Sequence, residues 1–509
     1  MRRFAGPLAV VLLAWGGCGR PEPREPKAPN ILVVVWDTVR ADRLGPYGYG
    51  KSTTPFLDEW STGARVYDDC VSAAPYTVAS HASLFTGLLP TEHGASNRHA
   101  FLDDRHETLA ERLRAAGYQT YLYSANPHIS RAENFHRGFD RAEHPWDEAN
   151  RDDAYRIVAA KITPEDASSE LAEKIRAGRP KGGWDIKASG ELANRGLVRW
   201  LNERDEERPY FAFLNYMEAH RPWIPPASFR RAVMTEEQVA RSYRIDRSWL
   251  PLWSYTFGLH DYSEDELAVM SATYDACIAE LDALFRDLLA QLHAAGALDN
   301  TVVVLTSDHG EHLGEHHLLD HQYSLYEPLL RVPLIVRDGT RFPPGRERRP
   351  VMVHDLFPTL LAIAGLPVPE ATRAVDLLAP REDRVRLAEY LGPFQDAFAA
   401  VEGTHPGWDR SPWEREIRAL YRHGDKLIRW SDGRRELYRI AEDPGERTDL
   451  AAVEVEAAGR MESALEAVVG ELRTGPAGGA PPAGMTEEHR ELLRSLGYVH
   501  GGSGEDDSP

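Results

Sequence analysis

The sequence predicts an α/β fold: a large, mixed, mostly parallel sheet sandwiched by helices, followed by a small C-terminal antiparallel sheet with a helix. Three observations predict it. Residues 30–36 and 301–306 are continuous apolar, β-branched runs, the signature of strands buried on both faces. Such runs alternate with amphipathic stretches that end in helix stop signals, the order of βα units. After about Arg381 the pattern becomes short strand candidates split by turn residues.

Each element has its own warrant. Residues 106–116 carry an amphipathic helical pattern closed by Gly117, and residues 119–123 then read as a strand. Residues 191–203 are helical and precede a strand at 210–216. Residues 264–294 form a long helical pattern closed by Gly296, before the strand at 301–306 and another at 332–336. Residues 355–364 are helical, with Gly365 and Pro367 as stops. The stretch 141–183 is polar and without clear period, so surface loops or an insertion are expected there. Strands at 417–423, 426–430 and 436–440 are separated by Gly424-Asp425 and Asp432-Gly433, and a helix follows over 451–473. The Gly/Pro/Ala-rich stretch 475–484 reads as a linker and the residues after it as a disordered tail.

Composition narrows the function classes. The chain has 509 residues, 42% hydrophobic and 27% charged, ordinary for a globular enzyme. A formal net charge of -20 argues against nucleic acid as a partner. Three cysteines (Cys18, Cys70 and Cys277) exclude a disulfide scaffold and a four-cysteine zinc site; Cys70 and Cys277 read as separate core thiols. At the N-terminus Arg2 and Arg3 precede an apolar run from Pro7 to Trp15 and then Gly16-Gly17-Cys18. This pattern predicts an export segment too short to span a bilayer, with Cys18 as a lipid-anchor candidate and residues 19–29 as a tether. The expected location is periplasmic or cell-envelope.

Four short segments carry chemistry, and most of them end or follow a predicted strand, where open α/β sheets place ligands. Asp37 follows the strand at 30–36 and is either a metal ligand or a turn residue. Thr77 opens a predicted helix in Thr77-Val-Ala-Ser80-His81, where free backbone N–H groups favour an anion; it is a nucleophile or an N-cap. His220 follows the strand at 210–216 and is a proton donor to a leaving group or a surface residue. Asp308-His309-Gly310 follows the strand at 301–306 and forms a metal half-site of carboxylate and imidazole. His312, His316 and His317 read as a solvated loop, and Trp249, Trp253 and Tyr255 read as core or as a specificity wall.

In order and content these segments resemble the sulfatase family of the alkaline phosphatase superfamily, from about Asn30 to Leu450. The family's nucleophile loop, Cys-x-Pro-Ser-Arg followed by Leu-Leu-Thr-Gly, is similar to Thr77-Val-Ala-Ser80-His81 and Leu84-Phe85-Thr86-Gly87. Its Asp-His-Gly segment matches Asp308-His309-Gly310. Leu325-Tyr326-Glu327, Arg331-Val332-Pro333, Asp355 with Pro358-Thr359, and Glu436-Leu437-Tyr438 with Asp443-Pro444 extend the likeness. The resemblance implies a catalytic domain over residues 30–380, a subdomain over 381–474, and flanking segments 1–18, 19–29 and 475–509.

The departures from the family pattern bear on the chemistry. Thr77 stands at the formylglycine position and cannot form that aldehyde; Ala79 and His81 replace the proline and arginine, and Thr38 replaces a second acid. Ser124-Ala125-Asn126-Pro127-His128 stands where the family has a Gly-Lys-Trp-His segment. A sulfated threonine has no aldehyde collapse by which to expel sulfate, whereas a phosphothreonine can be cleaved by water, so phosphate or phosphonate esters are slightly favoured. The resemblance implies one divalent ion (Ca, Mn or Zn) on Asp37, Thr77, Asp308 and His309. It assigns Thr77 as nucleophile, His220 as acid, and His81, Asn126 and His321 as contacts to the ester's remaining oxygens. The expected substrate is a small-molecule or glycan ester. A catalytically inactive binding protein and a phosphoryl transferase acting on a glycan or lipid are the other readings.

Overall fold

The computed structural model describes residues 28–161, 185–379, 384–474 and Leu493. Eight strands form the large sheet: β1 (Asn30–Trp36), β2 (Arg65–Tyr67), β3 (Gln119–Ser124), β4 (Arg141–Glu143), β5 (Tyr210–Tyr216), β6 (Thr301–Thr306), β7 (Leu334–Arg337) and β8 (Gly345–Glu347). Their order is β8-β2-β7-β6-β1-β5-β3-β4. The run β6-β1-β5-β3-β4 is parallel, and β7 is antiparallel to β6 and β2. A mixed, mostly parallel sheet is therefore present.

Side chains of β1 alternate between two cores, as a pleated strand requires. Ile31, Val33 and Val35 pack with Val78, Ala82 and Phe85 of the helix Thr77–Thr86. Leu32, Val34 and Trp36 pack with Tyr274, Ile278, Leu281 and Phe285 of the helix Glu264–Ala294. Both faces are thus covered, which is why the strand has no polar alternation. Burying this much apolar surface stabilises at roughly 25 cal/mol per Å². Central placement also aligns strand ends: Val35 is in register with Asn215 on one side and Thr306 on the other.

The small sheet runs β9 (Arg386–Tyr390), β10 (Ile417–Arg422), β11 (Asp425–Trp430), β12 (Arg435–Arg439), all antiparallel, with the helix Val455–Glu471 against it. The core on the Ile31 face continues into it through Leu387, Ala419 and Leu427. Lys426 of β11 is fully buried and pairs with Glu327 at 3.0 Å and Glu446 at 2.7 Å.

Some elements differ from the sequence reading. Residues 141–161 are not loops: Arg141–Glu143 pairs with β3, and Glu148–Lys161 is a helix. That helix buries only Asn150, Ala154 and Val158, one residue per turn, so its inward stripe is hidden among charges. The rest of that stretch, 162–183, lies outside the described residues. The helix expected over 106–116 starts at Leu109, because Thr108 and Glu111 form a capping box. His312 is not solvated: it is buried and its Nε2 lies 2.7 Å from the Ser324 hydroxyl. Cys70 and Cys277 are buried and unpaired. The export segment with Cys18, the tether to residue 27, and the linker and tail from 475 lie outside the described residues, Leu493 apart. Among the described residues no helix is long and apolar enough to cross a membrane.

Candidate active site

Four strand ends and one helix start meet at the carboxyl edge of the sheet. Asp37 is one residue past β1, Asn126 two past β3, and Asp308 two past β6, while Asn215 is the penultimate residue of β5. The helix Thr77–Thr86 aims its N-terminus at them, held there by Ser80, whose hydroxyl donates to the Asp308 carbonyl at 2.6 Å. All of these residues are buried.

Asp37, Asp308 and His309 each present a ligand atom within 4.8 Å of the others. Asp37 Oδ2 accepts from Asn126 Nδ2 at 2.9 Å and from Asn215 Nδ2 at 3.1 Å, which leaves Oδ1 buried without a hydrogen-bond partner. Asp308 Oδ1 accepts from the backbone N–H of Thr38 (3.2 Å) and His309 (2.9 Å), and its Oδ2 is likewise orphaned. His309 Nδ1 donates to the Gly310 carbonyl at 2.9 Å. A carbonyl only accepts, so Nδ1 carries the proton and Nε2 offers its lone pair inward. Two orphaned carboxylate oxygens and an imidazole lone pair are the donor set of a divalent cation, and the residues fit one.

Thr77 lies beside this set. Its Oγ1 is 3.4 Å from His309 Nε2 and accepts from Asn126 Nδ2 at 3.2 Å. It makes no side-chain cap of its own helix, where Tyr76 is the N-cap. Thr38 does not join the site through its side chain, since its hydroxyl donates to the Asp37 carbonyl at 2.7 Å.

His81 stands under Thr77. Its Nδ1 donates to the Thr77 carbonyl at 3.0 Å and lies 3.5 Å from Asp308 Oδ2. Its Nε2 has no hydrogen-bond partner, and the ring meets Phe85 and Phe213 edge-on. His220 donates through Nδ1 to the Arg221 carbonyl at 2.6 Å, and its ring lies 5.0 Å from that of His321. His321 in turn stacks on His309 at 4.7 Å. His321 therefore links His220 to the Asp37–Asp308–His309 set.

A charge network outside the sequence reading surrounds His321. Asp320 Oδ1 accepts from the His321 backbone N–H (2.7 Å) and approaches His321 Nδ1 at 2.9 Å. Asp320 Oδ2 pairs with Arg221 at 2.7 Å and accepts from Trp253 Nε1 at 2.9 Å. Glu311 Oε1 lies 3.4 Å from His321 Nδ1. Glu311, Asp320 and His321 also cluster as metal ligands would. Asp320, however, has both oxygens saturated and a guanidinium already in place, so the cluster is an ion-pair network. Nothing in the spacing of Arg221, Glu311 and Asp320 along the chain signals that they converge.

Electrostatics follow from burial and these neighbours. Burial and the facing Asp308 push Asp37 up to about 6 against His309 and the two asparagines. Burial also raises Asp308. Burial and the His321 cation hold His309 down at about 3, so it stays a neutral ligand. Burial opposes charge on His321, yet Asp320 and Glu311 raise it to about 10, an imidazolium at neutral pH. Burial, then His321, keeps His220 well below its ordinary value. The site joins two carboxylates that want a counter-cation to a fixed cation that wants an anion.

A family model described as Sulfatase matches residues 29–366. Arylsulfatase K of Bos taurus is 24% identical over 479 residues, covering 87% of this chain and 82% of that protein. N-acetylglucosamine-6-O-sulfatase of Bacteroides thetaiotaomicron is 23% identical over 435 residues, covering 73% and 74%. The crystal structure of phosphonate monoester hydrolase of Agrobacterium radiobacter superposes with a TM-score of 0.65 at 22% identity, covering 87% of this chain and 95% of that one. Matched by that family model over well more than half of its length, the chain belongs to the sulfatase family of ester hydrolases.

Proposed function

We propose that the protein is a metal-dependent hydrolase that cleaves an ester by attack of Thr77, with phosphate or phosphonate esters favoured over sulfate. The observation that carries this reading is Thr77 Oγ1, free of any capping role and held between Asn126 and His309 beside two carboxylates with orphaned oxygens. A divalent ion held by Asp37, Asp308 and His309 would lower the pKa of the Thr77 hydroxyl and offset charge on the ester.

The chain's own groups account for the remaining steps. The Thr77 alkoxide attacks phosphorus, its Oγ1–P bond forms, and the bond to the leaving oxygen breaks. His220 gives that oxygen a proton, and its orientation is set by the bond to the Arg221 carbonyl. The anionic ester, bound beside it, offsets the burial and the His321 charge that otherwise depress its basicity. His220 then takes a proton from the water that cleaves phosphothreonine, which restores the Thr77 alkoxide. His321 is the group for the non-bridging oxygens, whereas Asn126, whose amide N–H groups go to Asp37 and Thr77, would reach one only by releasing a partner. His81, engaged with the Thr77 carbonyl and Asp308, supports the nucleophile from below rather than touching the ester.

A threonine at this position supports phosphoryl chemistry, because a sulfated threonine lacks an internal route to release. The organic group is proposed to be a small molecule or a glycan. Export to the periplasm or cell envelope, with Cys18 as lipid carrier, is proposed from Arg2, Arg3 and the apolar run before Gly16-Gly17-Cys18.

The test is a panel of p-nitrophenyl phosphate, a phenylphosphonate monoester and p-nitrophenyl sulfate, each with added Mn²⁺, Zn²⁺ or Ca²⁺. Phosphoryl esters should turn over fastest and Thr77→Ala should lose turnover while folding normally. A trapped phosphoryl adduct should map to Thr77 by mass spectrometry. Full activity in Thr77→Ala, or a strong preference for sulfate, overturns the reading.

A further inference from the structure

Behind the His220 loop lies a brace that the reaction scheme does not use. Residues 217–220 leave the sheet after β5, and a short turn, Asp185–Ala188, with the start of the helix Ser189–Glu203, backs them. The Met217 N–H donates to Ser189 Oγ at 2.7 Å. The Glu218 carboxylate accepts from the Ser189 hydroxyl and from the Gly190 N–H, the latter at 2.9 Å. Lys187, 1% exposed, donates from Nζ to the Met217 carbonyl at 2.6 Å and to the His220 carbonyl. The turn is pinned in its own right, because Lys161 donates to the Lys187 carbonyl and pairs with Glu280 of the long helix at 2.6 Å.

Of these groups Lys187 is the one that bonds the backbone of His220 itself. The His220 ring is oriented from its other side, through Nδ1 on the Arg221 carbonyl. Lys187 and the Arg221 carbonyl therefore fix the residue at its main chain and at its ring, which leaves Nε2 one direction to serve. An ammonium spent on two main-chain carbonyls is costly inside a protein, and hydrophobic burial of the same stem would be cheaper. Burial accordingly holds Lys187 at about 8, below its ordinary range.

We infer that Lys187 is a positioning residue that sets His220 in line with the leaving oxygen. The inference rests on the reading of His220 as the proton donor. A residue that merely stabilises the loop would slow all substrates alike. A residue that aims a general acid matters where the leaving group needs a proton and not where it departs unaided.

The experiment follows the first turnover only, the release of the leaving group as phosphothreonine forms, for two esters of one phosphoryl group in the metal-loaded enzyme, one leaving as 2,4-dinitrophenolate and one as an alkoxide. In that step His220→Ala serves as reference and should be slowed about 100-fold or more on the alkoxide ester and far less on the dinitrophenyl ester, while the later attack of water slows alike for both. Lys187→Met should show the same selectivity, about tenfold on the alkoxide ester, at unchanged KM. Ser189→Ala, which loosens the same loop without reaching His220, should affect both esters equally. Should Lys187→Met not fold, Lys187→Gln is measured by the same ratio. A uniform loss in the Lys187 variant beside a selective loss in His220→Ala overturns the role of Lys187 alone. A uniform loss in His220→Ala overturns the proton-donor reading and the inference with it.

Discussion

Thr77 Oγ1 lies 3.4 Å from His309 Nε2 although 232 residues separate them in the chain. The helix N-terminus and the β6 end that bring them together are also tied by the Ser80 bond to the Asp308 carbonyl. Hydroxyl and imidazole are thus placed by elements that cannot shift independently.

Purified protein is expected to carry about one divalent ion per chain, and Asp308→Asn should lose most of it. Asp308 Oδ2 is one of the two orphaned oxygens, so its replacement removes a ligand without emptying the core. Elemental analysis after gel filtration checks this. Full metal content in Asp308→Asn would place the ion elsewhere.

Asn126 donates to both Asp37 and Thr77, so Asn126→Ala should lower kcat by about 10- to 100-fold while metal content holds. Asn126→Asp should lose turnover as well but keep its metal, since a third carboxylate strengthens the demand for a cation and cannot donate to Thr77. Steady-state kinetics with metal analysis of the same samples separates the two effects.

Asp320 holds His321 through Nδ1 and Arg221 through Oδ2. Asp320→Asn should raise KM for the anionic ester more than it lowers kcat, because the contact it loosens is the fixed cation. A change confined to kcat would argue that His321 serves the chemical step instead.

Lys187 gives a pH signature in stability. Its folded value, about 8, lies below the ordinary 10.5. Below pH 8 both folded and unfolded chains hold the proton and the folded state bears the burial penalty. Between 8 and 10.5 only the unfolded chain holds it, so stability rises with pH there. Relative to Lys187→Met, the wild type should gain up to about 3 kcal/mol across that window, read by urea unfolding on either side of it.

Gly310 follows the ligand His309, and a Cβ there would sit 2.0 Å from the Pro328 carbonyl oxygen. Backbone cannot yield as a side-chain tip can. Gly310→Ala should lower Tm by several degrees and weaken metal retention together, measured by thermal melts with and without added ion.

Sequence alone carried much of this molecule. Residues 30–36, 264–294 and 301–306 were readable to their ends, since full burial on both sheet faces leaves unbroken apolar runs and a long helix leaves a long period. The positions of Asp37, Asn126, Asp308 and His309 are legible because each follows a strand whose end can be located, and that of Thr77 because it opens a helix. The helix Glu148–Lys161 was not, for its contact stripe is one residue wide. Arg221, Glu311 and Asp320 were not, since their meeting around His321 depends on the path of loops. His81 was assigned to the ester by its place in a motif, yet its proton is committed to the Thr77 carbonyl.

Lys426 shares its charge with Glu327, from the large-sheet part of the chain, and with Glu446, from the small one. Among the described residues neither acid has another lysine or arginine as near, so one ammonium answers for a carboxylate on each side of the seam. The small sheet is therefore not an exchangeable module. A small sheet grafted from a distant homologue that lacked this lysine would leave the buried Glu327 with only the more distant Arg331, at a cost of about 3 kcal/mol. Recombination must inherit that seam whole.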